Sequence, residues 1–351
     1  MIETPTAQAI DRAARHLRAG GLVALPTETV YGLGADASQR EAVAAIYALK
    51  GRPADHPLIV HVVDAVQAQR WGVLDARAQR LMAAFWPGPL TLIVPRAPEA
   101  PPWACGGQDS IGLRCPSHPV AHALLDRFTQ LGGSGVAAPS ANRFGKVSPT
   151  TAQHVIDDLG DEAPLVLDGG ACEVGVESTI VDLTRPRAAL LRPGRVRRDE
   201  IEAALGEPLA EPDAHAPRAS GTLAAHYSPR AAVELVDQAA LAQRLSDCVM
   251  AGQTVGVWSA REPAPSEHHG SREPGALPRV IWVEAPATAD DWEATLYAGL
   301  RTLDARGVAR MLVVAPPDAP AWDAVRDRLA RAAAATASNV ASSAAKPTTI
   351  N

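Results

Sequence analysis

Residues 22–53 read LVALPTETVYGLGADASQREAVAAIYALKGRP, and their pattern decides the fold. Leu22–Leu25 is a short apolar run that fits a buried strand. Ser38 with Glu41 forms a capping box, Ala42, Ile46 and Leu49 recur at helical spacing, and Gly51 followed by Pro53 stops the helix. Between them, Pro26–Gly34 reads as a polar turn at the C-terminal end of a strand. In an open α/β sheet such a turn faces the ligand crevice. The other readings of this turn are a plain polar loop with Tyr31 in the core, and a dinucleotide fingerprint, since Gly32, Gly34 and Ala37 fit G-x-G-x-x-A.

Outward from this unit the strand and helix patterns continue. Ile10, Ala13, Ala14 and Leu17 form a helical stripe that Gly20 can cap. Strands are expected at Leu58–Val63, Leu90–Val94, Ser110–Arg114, Val136–Ala138, Leu165–Leu167, Ser178–Leu183 and Ala189–Leu191. So many strands among four or five helices predict a curved mixed sheet with flanking helices. A Pro/Ala/Gly-rich linker follows from 206 to 230. Beyond it, strands at Val233–Val236, Thr254–Trp258, Arg279–Val283 and Met311–Val314 alternate with helices near 237–250, 290–306 and 321–335, a smaller Rossmann-like α/β domain. The boundaries are therefore 1–205, 206–230, 231–336 and an Ala/Ser/Thr-rich tail, 337–351, expected to be disordered.

The chain has 351 residues, 47% of them hydrophobic, which suffices for two cored domains. Its apolar runs, such as Leu90–Val94 and Met311–Ala315, fall short of the ~18 residues of a membrane helix. The N-terminus shows no signal-peptide pattern. A soluble, cytoplasmic protein with no membrane partner is the expectation. Cys105, Cys115, Cys172 and Cys248 form no C-x-x-C pair and lack a histidine cluster, so no metal site and no disulfide framework is indicated. A formal charge of −6 argues against coating nucleic acid, though it leaves room for transient RNA contact at a local basic pocket.

Four clusters carry candidate chemistry. The first is Pro26–Gly34. The second is Lys50-Gly51-Arg52-Pro53 with His56 and His61. Lys50 and Arg52 cap a helix C-terminus, or are held by the stiff turn to meet a polyanion such as triphosphate, one as a point charge and one as a fork. Only three lysines, Lys50, Lys146 and Lys346, stand among 33 basic residues. The third cluster is Ala137–Asn142 leading to Ser148-Pro149, a step that looks like a helix start; Ser148 caps that helix or touches phosphate. No G-x-x-x-x-G-K-[ST] loop is present, because Lys146 precedes Val147. The fourth joins Ser110 and Arg114, which share one face of a strand, with Glu177-Ser178-Thr179 and Leu191–Gly194. Arg114 and Arg192 are candidates for carboxylate or phosphate, or form a structural salt bridge with Glu28 or Glu177.

Seven stretches, Pro26–Gly34, KGRPADHPLIVHV (50–62), WPGPLT (86–91), Ser110–Pro116, APSANRFGKVSPT (138–150), GVESTIVDL (175–183) and Leu191–Gly194, occur in the order found in the YrdC-domain family of L-threonylcarbamoyladenylate synthases. With His226-Tyr227-Ser228-Pro229 the chain resembles the longer two-domain form, whose linker folds over the active site. The resemblance implies a nucleotidyltransferase reaction on ATP, L-threonine and bicarbonate, with Mg2+ on the phosphates and tRNA threonylcarbamoyl-transfer proteins downstream. It implies that Thr29, His61, Arg114, Ala138 and Ser178 hold threonine. Arg52, His56, Ser110, Ser140, Ser148, Arg192 and Tyr227 then hold the nucleotide, with Lys50 and Asn142 close by; Lys50, Arg52 and Asn142 are the catalytic candidates. The sequence departs from the family at Ser220-Gly221, where Pro-Gly is common, at the weakly basic Leu223-Ala224-Ala225, and at His56, where Asn is frequent. Two rival classes are an RNA-binding module without turnover and a nicotinamide-dependent oxidoreductase; the latter lacks a convincing acid about 20 residues beyond its glycines.

Overall fold

A computed structural model describes residues 1–261 and 279–344. The chain divides into two units, the first comprising 1–144 and 148–222 and the second 145–147 and 223–351.

In the first unit β1 (Ile2–Glu3), α1 (Ala7–Arg18), β2 (Val23–Leu25), β3 (Gly32–Asp36), α2 (Arg40–Lys50), β4 (Ile59–His61), α3 (Ala65–Ala68) and α4 (Ala76–Phe85) come first. They are followed by β5 (Leu90–Pro95), β6 (Ser110–Arg114), α5 (Pro119–Gln130), β7 (Val136–Ala137), α6 (Ala152–Leu159), β8 (Leu165–Leu167), β9 (Thr179–Asp182), β10 (Ala189–Arg192) and α7 (Arg198–Leu205). The ten strands form one mixed sheet in the order β1-β8-β2-β3-β7-β4-β6-β5-β9-β10. On one side α1 and α5 bury Ala13, Leu17, Leu124 and Phe128 against Val23, Leu25 and Val136. The larger core gathers Ile46, Leu58, Trp71, Leu81, Leu92, Leu113 and Ile201. Thr6, Asp75 and Thr151 cap α1, α4 and α6 by accepting from the N–H of Ala9, Ala78 and His154.

The second unit has a four-stranded parallel sheet in the order β11-β14-β12-β13. Its elements are β11 (Ala232–Val236), α8 (Leu241–Met250), β12 (Val255–Ser259), β13 (Val280–Glu284), α9 (Ala289–Ala305), β14 (Arg310–Val314) and α10 (Asp323–Ala344). This is the small α/β pattern read from the sequence. Among the described residues no helix is long and apolar enough to cross a membrane.

Four local readings are corrected. Gly32–Asp36 is a strand rather than the end of a turn, pairing antiparallel with β2 through Leu25↔Gly32 and Val23↔Gly34. Its glycines answer to packing: a Cβ on Gly34 would meet Leu25 Cδ2 at 2.9 Å and Val136 Cγ1 at 3.0 Å. A Gly-x-Gly inside a strand cannot open a helix onto pyrophosphate, so the dinucleotide reading fails. The capping box is absent, because Gln39 is the N-cap of α2 while Ser38 Oγ donates to Asp36 Oδ1 at 2.6 Å. Ser148-Pro149 does not start a helix either; α6 begins at Ala152 behind Thr151. Finally, α10 runs on to Ala344, into the stretch read as disordered tail, as its alanine-rich sequence favours. Residues 345–351 of that tail lie outside the described residues.

Candidate active site

The turn after β2 is set by Thr27, whose hydroxyl accepts from the N–H of Thr29 and Val30, both at 3.2 Å, and donates to Val30 O at 2.6 Å. Main-chain bonds then lace this turn to the 138–150 segment: Tyr31 N to Pro149 O at 2.9 Å, Leu33 N to Pro139 O at 2.7 Å, and Ala141 N to Tyr31 O at 2.8 Å. Ala138 N donates to Ile59 O at 3.0 Å. Three motifs far apart in sequence thus meet at the same end of β2, β7 and β4.

Arg114 ends β6, opposite His61 in the parallel β4–β6 register. It forms an ion pair of 2.8 Å with Glu28, both side chains 5% exposed. It also donates to Thr29 Oγ1 at 2.8 Å and to Gly88 O at 3.3 Å. The salt bridge weighed from the sequence is therefore present, and its anion is Glu28. Burial would raise the Glu28 pKa, but the charge and proximity of Arg114, with backbone N–H groups, outweigh it and hold the carboxyl below its ordinary value. His61 is neutral, its pKa pushed down to about 3 by burial and the nearby Arg114 cation.

Ser178 lies just before β9. Its hydroxyl is 2.7 Å from Thr91 Oγ1, and Arg192, at the end of β10, donates Nε to Ser178 O at 3.0 Å and Nη2 to Ser178 Oγ at 3.1 Å. Ser110 and Gly112 of β6, Ile59 of β4, Thr91 of β5 and Ile180 of β9 line a cleft across this face of the sheet. The alternation along β6 puts Arg114 on the same face as Ser110 and Gly112.

Segment 218–220 closes one side of the cleft. Arg218 N donates to Gln108 Oε1 at 2.7 Å and its guanidinium to Gly106 O at 2.7 Å. Ser220 accepts from Arg192 through its carbonyl at 2.7 Å and from Arg52 through its hydroxyl at 3.3 Å, and donates to Pro57 O at 2.8 Å. The Ser220 hydroxyl thus links Arg52 to the Pro57 carbonyl. The sequence reading named this position but not its contacts.

Lys50 and Arg52 flank Gly51, the left-handed C-cap of α2 with φ 62°. Lys50 is buried and donates Nζ to Ser140 O at 2.6 Å and Asn142 O at 2.5 Å, while Phe144 N donates back to Lys50 O at 2.8 Å. Burial, helped by the Arg52 charge, holds the Lys50 pKa well below its ordinary value. Arg52 donates to Pro57 O at 2.8 Å and sits over Phe144, and His56 meets the same ring edge-on at 5.3 Å. Ser148 Oγ donates to Glu177 Oε1 at 2.6 Å.

Tyr227 belongs to the second unit. It is buried there with a left-handed φ of 58°, its ring 4.2 Å from His226 and 5.5 Å from Tyr297, with Arg328 over its face. Of the remaining sequence candidates, the first unit brings Thr29 and His61 to Arg114, Ser178 to Arg192, Ser140 and Asn142 to Lys50, and Arg52 with His56 to Phe144, while Ser110 lines the cleft, Ala138 is tied to Ile59 and Ser148 is bonded to Glu177. Glu28 was read from the sequence only as a competitor for Arg114.

A mixed sheet bearing arginines and hydroxyls on one face, followed by a small parallel α/β unit, is the architecture of the two-domain YrdC class. Residues 15–194 match the Sua5, YciO and YrdC family model, described as telomere recombination, and residues 196–334 match the model of the threonylcarbamoyl-AMP synthase C-terminal domain. The chain belongs to this family. It is 37% identical over 333 residues to threonylcarbamoyl-AMP synthase of Bacillus subtilis, covering 92% of each chain. To that of Schizosaccharomyces pombe it is 35% identical over 374 residues, covering 93% of this chain and 89% of the relative. Among solved structures, Pyrococcus abyssi Sua5 complexed with L-threonine superposes with a TM-score of 0.83 at 34% identity, covering 96% of this chain and 97% of that one.

Proposed function

We propose that this chain is an enzyme that makes L-threonylcarbamoyl-AMP from L-threonine, bicarbonate or carbon dioxide, and ATP, with release of pyrophosphate. The observation that supports this reading is that Arg52 and Arg192 both bond Ser220, which lines one cleft with Ser110, while Arg192 also holds Ser178, in a chain that matches threonylcarbamoyl-AMP synthases over nearly its whole length.

The threonine amine is first converted to a carbamate, and a carbamate oxygen then attacks the α-phosphorus of ATP as pyrophosphate leaves. The nucleophile is the substrate's own, so the protein's work is orientation and charge stabilisation. In this reading Thr29, His61, Arg114, Ala138 and Ser178 face the amino acid. Arg52, His56, Ser110, Ser140, Ser148, Arg192 and Tyr227 serve the nucleotide, and Lys50 with Asn142 fixes the loop between them. For the guanidiniums to meet phosphate, Arg52 and Arg192 exchange Ser220 for ligand oxygens.

Magnesium arrives on the triphosphate. Mg2+ on nucleotides keeps water and phosphate oxygens with one or two carboxylates at most, so this role asks for no dedicated protein cage. It neutralises phosphate charge when bound. The reading extends to a cytoplasmic enzyme that passes its labile product to tRNA threonylcarbamoyl-transfer proteins, with any RNA contact local and brief.

The test is pyrophosphate release by purified protein with ATP, magnesium and bicarbonate, with and without L-threonine. Release that needs both threonine and bicarbonate is expected. A folded, ATP-binding protein that releases none would overturn the reading and direct attention to RNA binding.

A further inference from the structure

Residues 145–147, Gly-Lys-Val, belong to the second unit, while Ser140 and Asn142 before them and Ser148 after them are site candidates in the first. Three contacts hold this short stretch. Ser228 N donates to Gly145 O at 2.8 Å, Lys146 and Ser228 form a parallel β-bridge, and the Arg301 guanidinium donates to Val147 O. Arg301 is a half-buried residue of α9, one turn beyond Tyr297, whose ring lies 5.5 Å from that of Tyr227. Residues four apart share a helix face, so one side of α9 holds both Tyr227, next to Ser228, and Val147, next to Ser148.

The carbonyl that Arg301 holds is part of the peptide unit that ends at the Ser148 nitrogen. That unit is trans and planar, so fixing Val147 O also fixes the direction of the Ser148 N–H and limits where the Ser148 side chain can go. Ser148 Oγ donates to Glu177 Oε1 at 2.6 Å, and a hydrogen bond from a guanidinium is stronger than one from a neutral donor. We propose that Arg301 is a positioning residue for the nucleotide half of the reaction, acting through the Val147 carbonyl to set Ser148 for its contact with the nucleotide. This rests on the reading above, in which Ser148 serves the nucleotide. The residues that face threonine in that reading are held by bonds and strand pairing within the first unit, Thr29 to Arg114, His61 in the β4–β6 register, Ala138 to Ile59 and Ser178 to Thr91. The arginine therefore bears on ATP and leaves threonine alone.

The experiment is calorimetric titration of the full chain with magnesium ATP and, separately, with L-threonine, for wild type, Arg301→Met, Ser148→Ala and the double variant. Pyrophosphate release is measured alongside. Methionine keeps an apolar stem and removes every donor. Arg301→Met is expected to weaken ATP binding at least about fivefold, as the loss of a charge-assisted hydrogen bond would, with threonine binding unchanged. Arg301→Lys restores most of the loss, because a single carbonyl needs one donor and not a fork. Since the arginine acts through Ser148, adding Arg301→Met to Ser148→Ala is expected to weaken ATP binding by less than about twofold more. Losses that multiply in the double variant, ATP binding at the wild-type level in folded Arg301→Met, or equal weakening of ATP and threonine each overturn the proposal while leaving the enzyme reading intact. Absence of threonine-dependent pyrophosphate release in wild type removes the enzyme reading and this proposal together. Should Arg301→Met fail to fold, Arg301→Gln, whose amide donor has a shorter reach, takes its place. Weakened ATP binding with unaltered threonine binding is then expected, and unchanged binding of both overturns it.

Discussion

Arg192 spends its fork on two residues: Nη1 reaches Ser220 O at 2.7 Å, while Nε and Nη2 hold the carbonyl and hydroxyl of Ser178 at 3.0 and 3.1 Å. One cation thus ties the end of β10, the segment before β9 and the linker to a single point. A lysine at this place keeps the charge but not the fork. Arg192→Lys is expected to lower kcat/KM for ATP at least tenfold, the loss of one charge-assisted hydrogen bond being worth about 1.5–3 kcal/mol. Faster proteolysis within 206–222 should accompany it. Activity and proteolysis both at the wild-type level would remove Arg192 from the site and from the linker's anchorage.

Lys50 invites a different comparison. If its role were a direct phosphate contact, Lys50→Met would raise KM for ATP and leave stability alone. In the structure its ammonium is buried on Ser140 O and Asn142 O, so the methionine variant leaves two loop carbonyls without that donor. The expected result is a stability loss of about 1–3 kcal/mol, faster amide exchange through Ala141–Phe144, and a fall in kcat. Wild-type exchange and melting with only KM raised would return Lys50 to the phosphates.

Much of this was legible in the sequence, and the exceptions share a cause. Strands such as Ser110–Arg114 and Leu165–Leu167 fall where the apolar runs and alternation put them, because there the local pattern and the buried environment agree. Strand β3 did not show itself, since its Gly-Leu-Gly-Ala-Asp has weak strand preference and its glycines are dictated by neighbours in other strands. The site motifs were recognisable as motifs, but their partners were not. Glu28 pairs with Arg114 across 86 positions and Ser220 with Arg192 across 28, and no local spacing rule reports such contacts. Strand order is hidden for the same reason: β8 lies between β1 and β2.

Gly34 measures how tightly that hidden strand is packed. A methyl group there would stand 2.9 Å from Leu25 Cδ2, 3.0 Å from Val136 Cγ1 and 3.2 Å from Val23 O, and the last of these is backbone that cannot turn away. Gly34→Ala is expected to cost about 1–3 kcal/mol through overpacking, at about 2–4 °C of Tm for each kcal/mol in a unit of this size. An unchanged melting temperature would mean that β2 and β3 are not in the register described.

His61 gives the chain a pH dependence whose sign can be worked out. It is buried beside Arg114 and Glu28, and its pKa of about 3 in the folded chain lies below the ordinary histidine value of 6.5. Above pH 6.5 the folded and unfolded forms are both neutral and the histidine contributes nothing. As pH falls below 6.5 the unfolded chain takes up a proton that the folded chain refuses, so stability is lost progressively down to about pH 3 and no further below it. At pH 5 the shift spans 1.5 pH steps, which at ~1.36 kcal/mol each amounts to about 2 kcal/mol. Glu28 moves the same way but only below the ordinary carboxylate range, since its folded pKa is depressed, so it adds little at pH 5. Urea unfolding at pH 7.5 and pH 5 should therefore show wild type losing about 2 kcal/mol more than His61→Gln between the two conditions. Parallel losses in both proteins would mean that the imidazole takes up its proton in the folded state, next to an arginine, and that water reaches it between β4 and β6.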